Sequence, residues 1–158
     1  MRSFARYLVR EEQLAEDPTA LIESPKLGRG LPKAIDEAAV MRLLEAPDVT
    51  TPLGLRDRAM LETLYATGLR VSELGGLELN NLSVNQGVVR VLGKGGKERL
   101  VPLGEHALDW LKRYTGSARG ELLKGRQCQA VFVTARGAGM TRQAFWHAIK
   151  RHAAAAGI

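Results

Sequence analysis

Val88-Val89-Arg90-Val91-Leu92-Gly93-Lys94-Gly95-Gly96-Lys97-Glu98-Arg99-Leu100-Val101-Pro102-Leu103 is the stretch in which the chain changes its hydrophobic period. Two apolar runs, one of them rich in β-branched residues, flank a glycine-rich connection, a pattern that predicts a β-hairpin. On both sides of it the period is helical. Upstream, Asp36 is placed to cap a helix over about 37–46, with Val40, Leu43 and Leu44 on one face and Pro47 as its stop. A second helix is predicted from near Pro52 to about Ala66, with Leu55, Ala59, Met60, Leu64 and Tyr65 apolar, broken by Thr67-Gly68. A short helical segment over 70–74 ends at Gly75-Gly76. Downstream, 105–114 reads as helix with Leu108, Leu111 and Tyr114 inward, and 130–133 reads as a third short strand. Thr141 caps a last helix over about 142–156. The fold class expected is therefore α+β, mostly α-helical with a small antiparallel β-sheet built on the hairpin.

The segment before residue 35 has a different character. Phe4, Tyr7, Leu8 and Leu14 predict a helix over 2–14, too short to fold alone. Residues 17–34 hold three prolines, two glycines and three basic residues, the composition of an extended linker.

Bulk composition narrows the function classes. Apolar residues make up 45% of the 158 and charged residues 25%, ordinary for a globular chain. No apolar run approaches the roughly 18 residues of a membrane span, and no apolar core follows the N-terminus. With Cys128 as its single cysteine the chain forms no internal disulfide, so a reducing, cytoplasmic setting is expected and no membrane partner. No His, Cys, Asp and Glu cluster has metal-ligand spacing, and no cofactor is expected. The net charge of +6 is unevenly spread: residues 1–87 carry ten Lys/Arg against thirteen Asp/Glu, whereas 88–158 carry thirteen against four, with no acidic residue after Glu121. Such an asymmetry fits either a polyanion partner or a solubilising surface.

Three places could carry chemistry. Arg70 follows the Thr67-Gly68 break at the start of a helical turn, where unpaired N–H groups and a planar guanidinium suit a phosphate. The alternative is an ion pair with Glu73 one turn on. Lys94 stands among glycines at the hairpin tip, with Lys97 and Arg99 behind it, and could reach a phosphate or protonate a leaving oxygen. The alternative is a solvated turn lysine. The tip is not a nucleotide-binding P-loop, since no Ser or Thr follows the lysine and a strand comes next. On the last helix Gln143, His147 and Lys150 share one face, beside Arg142 and Trp146, and suit phosphates and base edges. There the alternative is a solvated face with Trp146 in the core. The tyrosines, Tyr7, Tyr65 and Tyr114, include no evident nucleophile.

At this level of detail the chain resembles a known family. Residues 55–60 and 64–74, Leu-Arg-Asp-Arg-Ala-Met and Leu-Tyr-Ala-Thr-Gly-Leu-Arg-Val-Ser-Glu-Leu, resemble the first catalytic-arginine motif of tyrosine recombinases of the Xer type. The stretch 88–103 resembles their catalytic-lysine hairpin, and Met140-Thr141-Arg142-Gln143-Ala144-Phe145-Trp146 a DNA-facing helix. The resemblance implies that Arg70 clamps the scissile phosphate, that Lys94 helps protonate the leaving 5′ oxygen, and that Glu73 supports Arg70. It implies DNA contacts from Lys97, Arg99, Thr141, Arg142, Gln143, His147 and Lys150. It implies double-stranded DNA and a second recombinase subunit as partners, and site-specific recombination in DNA integration or chromosome segregation as the setting. It assigns 1–17 to the last helix of an N-terminal DNA-clamping domain, 18–34 to a linker and 35–158 to the N-terminal half of the catalytic domain. Ala39 and Asn81 depart from the family's usual Glu and Asp. The family's later His-x-x-Arg motif and tyrosine nucleophile are not in this sequence, so the 158 residues alone are not expected to cleave DNA. Self-association through the 2–14 helix or the last helix is expected, since helices that pack on a missing half would leave apolar surface bare. The competing reading is a DNA-binding or protein-interaction remnant without catalysis. A basic RNA-binding module is disfavoured by an aromatic content of only 5%.

Overall fold

In a computed structural model, residues 2–21, 35–93, 96 and 98–158 are described. Most of the expected linker, together with Lys94 and Lys97, lies outside them. The chain divides into two compact units, Met1–Ala34 and Ile35–Ile158. In the first, helix α1 (Arg2–Arg10) turns its Ala5 inward, and Asp17 Oδ1 accepts from the Thr19 hydroxyl at 2.6 Å and the Thr19 N–H at 2.8 Å.

The second unit follows the predicted order closely at its helix starts. Helix α2 (Glu37–Glu45) is capped by Asp36, whose Oδ1 accepts from Ala39 N–H at 2.6 Å. Helix α3 (Pro52–Thr67) places Pro52 in its first turn, where the missing N–H costs nothing. It ends at Gly68 in the left-handed region (φ 59°), a conformation that favours glycine. Helix α4 (Val71–Gly75) follows at once. The hairpin forms as β2 (Val88–Leu92) and β3 (Glu98–Pro102), with Arg90 opposite Leu100 and Leu92 opposite Glu98. Strand β1 (Leu82–Ser83) adds a short third member, giving an antiparallel sheet ordered β1-β2-β3. Helices α5 (Glu105–Arg113), α6 (Arg119–Leu123) and α7 (Arg142–Ala155) complete the unit. Mostly helical with one small antiparallel sheet, the fold is the α+β class expected.

Helix α3 is the centre of the core. Ala59, Met60 and Leu61 are buried, but so are Arg56, Asp57, Glu62 and Thr63, so the helix is surrounded on nearly every side. Its buried polar groups are all partnered, as a low-dielectric interior demands. Glu62 receives Arg58 at 2.8 Å, and the Thr63 hydroxyl donates to Ala59 O at 2.7 Å.

Two sequence expectations need correction. Residues 130–133 are not a strand of the sheet; they make only isolated bridges, Ala130 with Glu78 and Val133 with Gly139. Their apolar character reflects burial of Val131, Phe132 and Val133. Side chains take over much of their backbone hydrogen bonding: Arg119 Nη2 donates to Ala130 O at 2.8 Å, Arg56 Nη1 donates to Val133 O at 2.9 Å, and Val133 N–H donates to the Tyr114 hydroxyl at 3.1 Å. The 105–114 helix also does not stop at Tyr114. A π-helical turn over Tyr114–Ala118 carries it into α6. The Thr115 and Ser117 hydroxyls in this stretch donate back to Leu111 O at 2.7 Å and Arg113 O at 2.8 Å, so both residues are absorbed into the helix.

Candidate nucleic-acid interface

The left-handed turn at Gly68 ends α3, buries Leu69 and leaves Arg70 as the residue capping α4 in an extended conformation (φ −67°, ψ 148°). From there Arg70 is 78% exposed along its side chain. Its backbone N–H donates to Glu73 Oε2 at 2.9 Å, and its Nη1 makes a longer contact of 3.3 Å with Glu73 Oε1. Glu73 is the hub. It is only 11% exposed, and Arg99 Nη2, arriving from β3, lies 3.2 Å from Oε1 and 3.1 Å from Oε2. Of the two sequence readings of Arg70, the ion pair with Glu73 forms, while most of the Arg70 side chain stays exposed.

The Arg70 backbone N–H, and after it the Arg99 guanidinium, hold the Glu73 carboxyl below its ordinary value of 4.5. A depressed folded-state value stabilises the fold above the ordinary value, and that contribution is lost as pH falls through the depressed one. Wild type should therefore lose stability below about pH 4.5 more steeply than a Glu73→Gln chain, in denaturant midpoints taken across the acid range. Parallel curves for the two would contradict this.

Helix α7 supplies the second wall. Thr141 Oγ1 accepts from Ala144 N–H at 3.2 Å, so that hydroxyl serves as the helix cap. Phe145, Ala148 and His152 turn inward, while Arg142, Gln143, Trp146, His147 and Lys150 are exposed. The core aromatic of this helix is Phe145, not Trp146, which is 54% exposed with the Lys150 ammonium 5.2 Å from its ring centroid. Between the two walls runs a groove of about 1060 Å³, lined by Leu64, Gly68 to Ser72, Arg142, Gln143 and Trp146. The fold thus brings Arg70, Arg142 and Gln143 to one groove. His147 and Lys150 continue along the exposed face of α7 outside the lining of the groove, and Arg99, which reaches Glu73 from β3, is outside that lining as well. Lys94 and Lys97 lie outside the described residues.

The sequence reading assigned nothing to Asp57, yet Asp57 anchors this wall. Its side chain is 1% exposed; Oδ1 accepts from Arg56 at 2.9 and 2.6 Å, and Oδ2 lies 2.8 Å from both Arg151 Nη2 and His152 Nε2. The carboxylate therefore ties the C-terminal part of α7 to the central helix. The available signal was the charged run Arg56-Asp57-Arg58 inside an otherwise apolar segment, since buried charges come paired. Among the described residues, no group of three or more His, Cys, Asp and Glu could hold a metal ion, and no helix is long and apolar enough to cross a membrane.

The sequence matches the phage integrase family over residues 33–158. Along all 158 residues it is 58% identical to the tyrosine recombinase XerD of Pseudomonas aeruginosa, covering 53% of that protein, and 55% identical to XerD of Vibrio cholerae, covering 52%. The chain spans about half the length of these curated relatives. Among solved structures, XerA recombinase superposes with a TM-score of 0.67 at 24% identity, over 86% of this chain and 46% of that one. A lambda integrase tetramer bound to a Holliday junction superposes with a TM-score of 0.73 at 16% identity, over 99% and 43%. At these identities the two structures establish the shared fold.

Proposed function

This chain belongs to the phage integrase family, and from that premise we propose that it forms the phosphate-gripping half of the catalytic domain of a site-specific tyrosine recombinase. The observation that carries the proposal is the exposed Arg70 guanidinium on one wall of a groove whose other wall presents Arg142 and Gln143. Arg70 would hold two oxygens of the scissile phosphate through its planar fork. Lys94 would deliver a proton to the 5′ oxygen as the phosphorus–oxygen bond breaks and a tyrosine oxygen bonds to phosphorus. Positive charge around the phosphoryl group stabilises the charge that develops there, without a metal or cofactor. The three tyrosines of this sequence, Tyr7, Tyr65 and Tyr114, are not read as that nucleophile. Tyr114, for example, is buried, its phenol pushed up by desolvation and held at 3.1 Å by Val133 N–H. The nucleophile would come from the part of the relatives that this chain does not span.

We assign double-stranded DNA as the partner, with a second recombinase subunit alongside, in a cytoplasmic setting. The lambda integrase relatives are described as bound to a core site and to a Holliday junction, which supports the first two. Self-association through apolar surface such as Trp146 belongs to the same reading. Residues 35–158 are read as catalytic domain, in accord with a family match that begins at residue 33, and 1–17 as the end of a preceding DNA-clamping domain. Arg142 and Lys150 would contact phosphates, with His147 beside them, while Gln143 would face base edges.

Fluorescence anisotropy with a labelled duplex, titrated from about 50 to 200 mM salt, tests the proposal. Affinity should fall steeply with salt, and Arg142→Ala and Lys150→Ala should each reduce the slope of log affinity against log salt by about 1. Gln143→Ala should instead alter preference among duplex sequences. Affinity independent of salt would remove the phosphate-gripping role.

A further inference from the structure

The three-residue arrangement Arg70–Glu73–Arg99 contains more than a phosphate clamp. The sequence grouped Arg99 with the DNA contacts, yet its guanidinium is turned onto both oxygens of Glu73. A lone carboxylate one helical turn from Arg70 would draw that guanidinium into a bidentate pair, the strongest geometry open to it. Arg70 instead keeps one 3.3 Å contact and stays 78% exposed, because the second side of the carboxylate is already taken from the sheet. We propose that Arg99 is a positioning residue that acts through Glu73: by neutralising this carboxylate it leaves the Arg70 guanidinium open for a DNA phosphate. The inference rests on the reading of Arg70 as a phosphate-binding residue. It also gives β3 a part in the site, since Arg99 follows directly on the strand's first residue and so ties the tip end of the hairpin to α4. Arg99 would then set the charge felt at Arg70 without touching DNA itself.

A direct contact and a positioning role differ in additivity. If Arg99 touched a phosphate, the losses from Arg70→Ala and Arg99→Ala would multiply, as they do for independent sites. If Arg99 acts through Arg70, Arg99→Ala weakens duplex binding by roughly five- to tenfold in the wild-type background and by less than about twofold in Arg70→Ala. Arg99→Lys, which keeps the charge but loses the fork, recovers part of the affinity, and Arg99→Ala/Glu73→Gln recovers it only when Arg70 is present. A second measurement needs no DNA. In the free chain, NMR of the Arg70 side chain should show slower rotation about its Nε–Cζ bond in Arg99→Ala than in wild type, as the guanidinium settles onto Glu73. Multiplicative losses, or unchanged Arg70 rotation, overturn the proposal. A wild-type chain that binds no duplex at low salt overturns the proposed function itself and this role with it, whereas a failed cycle with binding intact overturns this role alone.

Discussion

An Asp57→Ala chain unfolds with about 3–5 kcal/mol less stability than wild type, the range found when one member of a buried ion pair is removed. The reason is what remains. Arg56 is 7% exposed along its side chain and would keep, among the described residues, only the Val133 carbonyl, at 2.9 Å, for a guanidinium with five donors. His152, itself buried, would lose the 2.8 Å contact of its Nε2. Against a typical domain stability of about 5–15 kcal/mol, a loss of this size leaves a marginal fold or none. Urea denaturation gives the comparison, with the midpoint falling at constant slope. The contrast with Arg151→Ala makes the argument specific. Arg151 reaches the same carboxylate at 2.8 Å, but its side chain is 64% exposed, so its loss should cost no more than about 1 kcal/mol. Removing Asp57 strands a buried guanidinium, whereas removing Arg151 takes away a partner that water can replace. Equal losses from Asp57→Ala and Arg151→Ala would show that burial is not what sets the cost.

That aspartate also marks where the sequence was legible and where it was not. Helix starts could be read because their determinants are local: Asp36 and Thr141 cap α2 and α7 with their own side chains, and Gly68 ends α3 in a conformation that favours glycine. The hairpin could be read because two apolar runs, one rich in β-branched residues, flank a glycine-rich connection, and they pair from Val88 with Pro102 to Leu92 with Glu98. Non-local partners escaped. Nothing in residues 130–133 announces that Arg119, Arg56 and Tyr114 will supply several of their hydrogen bonds. Nothing in Thr115-Gly116-Ser117 announces a continuous helix. At the site, the sequence could put Arg70, Glu73 and Arg99 on a list, but only the fold places Arg99 on Glu73. The choice between Phe145 and Trp146 as core aromatic likewise depends on which side of α7 meets Phe132, a contact 13 residues apart in sequence. Lys94 and Lys97 remain readings of the sequence alone, outside the described residues.

The contact of Phe132 with Phe145 leads to the second large effect. Phe132→Ala should destabilise the chain by about 3–5 kcal/mol, the cost of a buried aromatic truncated to a methyl group. Phe132 stacks on Tyr114 with ring centroids 5.8 Å apart and planes 10° apart, and meets Phe145 edge-on at 5.9 Å and 87°. All three rings are buried, and they come from three different pieces of chain: the π-helical turn, the 130–133 segment and α7. Removing the middle ring opens a space whose lining is otherwise fixed, because Val133 N–H and Arg119 hold the backbone on either side of it. Collapse into that space is therefore restricted, which places the cost toward the upper end of the range. Phe132→Leu keeps most of the volume and should cost about 1.5 kcal/mol or less. The two variants also separate seating from stability. Phe145 holds the inner side of the helix whose outer side carries Gln143, Trp146 and Lys150, so loss of its partner should disturb the groove before the chain unfolds. Phe132→Ala, measured at a temperature where circular dichroism shows it folded, should bind duplex DNA more weakly than Phe132→Leu at the same folded fraction. Equal affinities would mean that α7 keeps its place without the aromatic stack, held by its other contacts, the Asp57 carboxylate among them.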